Sequence, residues 1–137
     1  MNTSTAVPVN FIPLEARIFG WLLCAAGCFF AYVYTFNPGA FFPGISISSI
    51  SEQFGLYSTA VRILGSVLGI VLALLSGSPA MLALMLATRI FIELGDVAVG
   101  LTINNGSPDT NTVTLVVLAG IEAIVLVRLI RHIRARN

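Results

Sequence analysis

Charge is scarce in this chain. Of 137 residues only 9% are Asp, Glu, Lys or Arg, against roughly 25% in a soluble domain, which excludes an ordinary water-soluble enzyme. Lysine is missing altogether, so the seven basic residues are all arginine, and they oppose six acids. A net charge of +1 builds no basic field able to hold nucleic acid, and that class of partner drops out. Histidine occurs once, as His132 in a basic tail, so a metal would have to be held by carboxylates alone, and no metal site is expected. The two cysteines, Cys24 and Cys28, are spaced as CxxxC rather than the CxxC of thiol redox centres and read as inert thiols. There is no phosphate loop, dinucleotide fingerprint or serine elbow, so no cofactor is expected.

What the chain has in quantity is apolar sequence: 57% hydrophobic residues and a mean hydropathy of +0.96. Its length suits one domain, and this composition places that domain in a bilayer. A helix crossing ~30 Å of hydrocarbon needs about 20 mostly apolar residues. Four such stretches can be marked, at about 14–36, 54–76, 81–103 and 112–130. Asn37-Pro38-Gly39, Gly77-Ser78-Pro79 and the run from Asn104 to Asn111 break the chain between them. Lipid offers the backbone no hydrogen-bond partner, so the spans should be helices. The expected fold is all-α, an integral membrane four-helix bundle.

Arginine placement orients it, because positively charged flanks stay cytoplasmic. Arg128, Arg131, Arg134 and Arg136, with His132, crowd the C-terminal end, and Arg17 opens the first span. The loops 37–53 and 104–111 carry no Arg and contain Glu52 and Asp109. Both should therefore be outside and both termini cytoplasmic. Residues 1–14 hold no basic residue, so they do not read as a signal sequence. In the outer loop 37–53, Phe41, Phe42, Ile45, Ile47 and Ile50 alternate with serines, a pattern that suits a segment lying in the membrane interface. Tyr34 and Tyr57, near outer span ends, read as interface anchors.

The charges that remain are oddly placed. Arg62, Arg89, Glu93, Asp96 and Glu122 all fall inside spans, where each costs about 2.5 to 3.5 kcal/mol to insert. They should face the bundle interior. Arg89, Glu93, Asp96 and Gly100 follow one another at spacings of four, three and four, and so share one helix face. Counting depth at about 1.5 Å per residue puts Arg62, Asp96, Glu93 and Glu122 at roughly one level in the outer half, with Arg89 about a turn deeper. Arg62 is the expected cation for the neighbouring acids. From the first span, Cys28, Tyr32 and Asn37 should reach the same half, with the Tyr32 hydroxyl in the pocket. In the second, Arg62, Gly65, Ser66, Gly69 and Ala73 form a small-residue face that lets backbones approach.

Acids exceed bases by one in this set, so one carboxyl lacks a cation and should hold a proton. Glu122 and Asp96 are the first choices for it. The candidate acid/base residues are thus Asp96, Glu93 and Glu122 with Arg62, and the candidate binding residues are Arg89, Tyr32 and Cys28. Such a pocket would bind or convert a lipophilic small molecule by cofactor-free proton transfer, such as isomerisation, cyclisation or epoxide opening. The alternative is an accessory or structural subunit, or a homo-oligomer, whose buried charges only fix packing.

Two stretches, Val61 to Gly69 with Arg62, Gly65 and Gly69, and Arg89 to Asp96 ending in Gly95-Asp96, resemble the small DoxX-like four-helix membrane proteins. The resemblance covers residues 14 to 130 in architecture and these two motifs in detail. It implies a four-helix bundle in contact with membrane lipid and carries no assigned catalytic residue.

Overall fold

The computed structural model describes residues 11–40, 49–103, 105–108 and 110–135. Within them the chain forms four helices and no strand: α1 (Leu14–Phe36), α2 (Ile50–Ser76), α3 (Pro79–Ile103) and α4 (Thr110–Arg134). A single 3-10 turn, Pro38–Ala40, follows α1. The expected interfacial segment at Phe41, Phe42, Ile45 and Ile47 lies outside the described residues, as do Asn104, Asp109 and Arg136.

Local chemistry explains where the helices begin and end. α2 starts at Ile50, four residues before the apolar run, because Ser49 and Glu52 form a capping box. The Glu52 N–H donates to Ser49 Oγ at 3.2 Å and the Ser49 N–H to Glu52 Oε2 at 3.0 Å, so two of the four orphan amides of the helix start are satisfied. Residues 50–53 therefore leave the expected outer loop and join the helix, with Ser49 as its cap. At the other end Gly77 adopts the left-handed conformation (φ 65°) that only glycine takes without strain. Ser78 then accepts the Met81 N–H at 3.2 Å, and Pro79, which has no N–H to satisfy, opens α3 two residues earlier than the apolar pattern suggests.

The helices run up and down in two hairpins. α1 packs on α2 and α3 on α4, and a narrower α2–α3 contact joins the pairs. Gly27 and Gly69 set the close approaches: a Cβ at Gly27 would run into Val67, and one at Gly69 into Met85. Gly65, expected on the same small-residue face, instead has nothing within 4 Å of its Cβ position and faces outward. Ser66, Gly69 and Ala73 keep the inward face; Gly65 lies 100° or so around the helix from Ser66, enough to turn it away.

The core is concentrated at the end bearing the C-terminal arginines, the basic end. Ile70, Ala73, Leu82, Leu86 and Leu129 are fully buried there, and Ala16, Leu23 and Leu74 pack around them. Arg128 Nη1 lies 3.7 Å from Glu15 Oε2, bringing the start of α1 beside the end of α4. Large apolar side chains such as Leu14, Phe29, Leu75 and Phe91 are exposed around the whole perimeter rather than in one patch. Three helices, α1, α2 and α4, are long and apolar enough to cross a membrane. α3 has the length, at 25 residues, but Arg89, Glu93 and Asp96 occupy its middle.

Candidate functional site

Away from the basic end the two hairpins separate, and a half-open cleft of about 1340 Å³ lies between them. All four helices contribute to its wall. Its floor is formed near Leu23, Ser66 and Arg89, and it extends toward Glu52, Gly55 and Thr114 at the far end, the open end. Most of the wall is apolar, with Phe30, Ile63 and Ile92 representative. Polar side chains enter it in two tiers.

The lower tier is organised by Arg89. Its Nη2 donates to Glu93 Oε1 at 2.7 Å, its Nε to Glu122 Oε1 at 2.8 Å and its Nη1 to Ser66 Oγ at 3.1 Å. One guanidinium thereby ties α3 to both α2 and α4, using the planar fork that lysine lacks. The tier is dry: side-chain exposure is 12% for Arg89, 7% for Glu93 and 0% for Glu122. Glu93 Oε2 and Glu122 Oε2 are both buried without a hydrogen-bond partner.

The upper tier is the pair Arg62 Nη2 to Asp96 Oδ2, 2.9 Å apart. It is wetter, with side chains 45% and 33% exposed into the cleft. Tyr34 on α1 also lines the cleft.

The expected residues are thus brought together in part and regrouped. Arg62, Arg89, Glu93 and Asp96 all line the cleft. Glu122 does not line it, being fully buried behind Arg89. Arg62, expected to serve the acids as a group, meets only Asp96, and Arg89 takes the other two. Tyr32 and Cys28 are placed outside the cleft. Tyr32 is 60% exposed, its ring 5.2 Å from that of Phe36, and Cys28 is an exposed free thiol one turn from the buried Cys24.

Tyr34, expected to anchor the interface, occupies the position assigned to Tyr32. Helical spacing holds the reason: Gly27, Phe30 and Tyr34 recur at three and four residues and share the inner face of α1, while Tyr32 falls five residues from Gly27 and points away. Glu52, Thr59, Ser66 and Thr114 are further polar residues of the wall, to which the sequence assigned no role in the site. His132, in the basic tail, is half-buried with Nε2 unpartnered. Among the described residues no group of three or more His, Cys, Asp or Glu side chains is arranged to hold a metal ion.

Compared with protein-family models, with curated proteins and with solved structures, the chain matches none. Its function must be argued from the cleft.

Proposed function

We propose that the chain is a four-span membrane protein with both termini cytoplasmic, and that its cleft binds a lipophilic small molecule for cofactor-free acid–base conversion. Lipid would cover the apolar perimeter, and α3 would be the fourth span, its charges turned into the bundle where they pair with α2 and α4. That arrangement is what makes intramembrane charge tolerable. The arginines at the basic end would keep that end cytoplasmic and open the cleft toward the other side. The likeness of residues 61–69 and 89–96 to the DoxX-like proteins belongs to this proposal as a kinship of architecture.

The observation that carries the functional reading is the cleft itself: a large, mostly apolar space with a few convergent polar groups, as small-molecule sites have. Its 1340 Å³ exceeds the ~300–1,000 Å³ of common ligand pockets and suits a long or polycyclic lipophile. Asp96 and Arg62, half-open to the cleft, would orient a ligand oxygen, with Glu93 below them.

The test is photo-crosslinking in lipid nanodiscs with a diazirine-bearing fatty ketone and a diazirine-bearing sterol. Label is expected on peptides containing Phe30, Ile63 or Ile121, and is expected to fall in Ala26→Trp, which narrows the cleft at its wall. Uniform labelling of the lipid-facing perimeter, insensitive to Ala26→Trp, refutes the reading. A second reading rests on a specific observation: all three of Arg89's nitrogens are engaged within the protein, as in a bundle whose charges only fix packing. It is favoured if a cellular activity survives Glu93→Gln and Asp96→Asn at unchanged expression.

A further inference from the structure

The charges of the lower tier do not balance when all three groups are ionised. Two carboxylates share one guanidinium, so with both ionised the group carries a net negative charge in a dry site. Their outer oxygens, Glu93 Oε2 and Glu122 Oε2, are then buried acceptors with no donor. Unmade hydrogen bonds of this kind are costly, more so for charged groups. Among the described residues the surroundings offer no second cation: α1 contributes the Cys24 thiol, α2 the neutral Ser66, and Arg62 is committed to Asp96. The two carboxyls are held side by side on the same guanidinium, Glu93 on Nη2 and Glu122 on Nε. One proton between them would neutralise the tier and supply the missing donor.

We propose that Arg89, Glu93 and Glu122 form a one-proton site, in which the two carboxyls share a single buried proton and Glu93 is the end that meets the cleft. Like charges in contact cannot both ionise without compensation, and a shared proton is the usual resolution. The two residues then differ in role. Glu122, fully buried and absent from the cleft wall, positions the proton; Glu93, in the wall, is where it leaves or enters.

Transfer to a ligand rests on the cleft reading given above. There the Glu93 O–H bond would break as an O–H bond forms on a lone pair of a ligand oxygen, leaving Glu93 a carboxylate on Arg89. In an isomerisation the proton returns in the second half-step, so the cycle needs no outside acid. The ligand class is therefore a lipophile with a basic oxygen, such as a ketone or an epoxide, rather than a pure hydrocarbon.

Infrared spectroscopy of the full chain in lipid nanodiscs at neutral pH tests the site without any ligand, because exposed carboxyls are then ionised. Expected is one protonated-carboxyl carbonyl band that shifts in D2O and shifts again when glutamate, but not aspartate, is 13C-labelled. The band should vanish in Glu93→Gln and in Glu122→Gln, since the remaining carboxylate pairs one to one with Arg89, and persist in Asp96→Asn. Absence of the band in the unaltered protein overturns the proposal, as does a band that follows 13C-aspartate. The isotope experiment needs no variant and stands even if a Gln variant does not fold. A band that behaves as expected alongside failed crosslinking would refute the ligand reading and leave the proton site intact.

Discussion

Replacing Arg89 by Met removes the one guanidinium that joins three helices while keeping much of its volume. Two magnitudes compete for the outcome. If the variant merely loses three hydrogen bonds, the cost is about 2 kcal/mol, since interhelical polar bonds inside membrane proteins average ~0.6 kcal/mol each. If instead two buried carboxyls are stranded without their cation, the cost is about 3 to 5 kcal/mol, the range for removing one partner of a buried ion pair. The geometry favours the larger figure, because Glu93 and Glu122 are 7% and 0% exposed in their side chains and cannot turn to water.

The companion variant Arg89→Met/Glu93→Gln/Glu122→Gln separates the two causes. It loses the same guanidinium bonds but strands no charge. Replacing a whole buried ionic network by neutral groups is often neutral or stabilising by ~1 to 4 kcal/mol, so the triple variant should recover at least half of the single variant's loss. The assay is reversible unfolding in mixed micelles of rising dodecyl sulfate fraction, followed by circular dichroism. A single variant that loses about 2 kcal/mol or less, with a triple variant no more stable than the single, would refute the stranded-charge argument.

Other expectations follow from the packing and the caps. Gly27→Val should separate α1 from α2 and sharply reduce the yield of folded protein, since its side chain would run into Val67, whereas Gly65→Val, facing open space, should leave yield unchanged; solubilised monodisperse protein measures both. Ser49→Ala removes the capping box of α2 and should destabilise that helix start by about 0.5 to 2 kcal/mol, read as faster amide exchange at Glu52, whose N–H loses its acceptor, with the core unaffected. In protein carrying Cys24→Ala and Cys28→Ala, a membrane-impermeant maleimide should label Ser51→Cys from outside intact cells and Ala135→Cys only after lysis. The reverse pattern would invert the proposed orientation.

The helices were legible because their signals are local. The end of α1 at Phe36 and the turn at Gly77 follow from breakers read off the chain. The start of α2 was missed although its signal was there: Ser49 and Glu52 are the S-x-x-E of a capping box, hidden by reading the serine-rich stretch before Phe54 as loop. Arg89, Glu93 and Asp96, which spacing alone puts on one helix face, all line the cleft. Which cation meets which acid was not legible, and the reason is geometric. Residue counting gives depth along a helix but not the rotation of one helix against another, and pairing depends on both. By depth, Arg62 lies level with Asp96, Glu93 and Glu122. In the folded chain α2 presents Arg62 to Asp96 alone, while Arg89, a turn deeper, has a side chain long enough to reach back along α3 to Glu93 and across to Glu122.

The same missing rotation explains why Tyr32 was expected in the pocket where Tyr34 stands. It also bears on the chemistry. Counted over the spans, the surplus acid pointed to Glu122 or Asp96; counted by tier, Arg62 and Asp96 cancel and the surplus falls on Glu93 and Glu122, the driest ionisable pair among the described residues. A chain with so few charges does not place two acids on one arginine as solvent-facing decoration. At that position a bound proton can both hold the bundle together and, through Glu93, be offered to whatever enters the cleft.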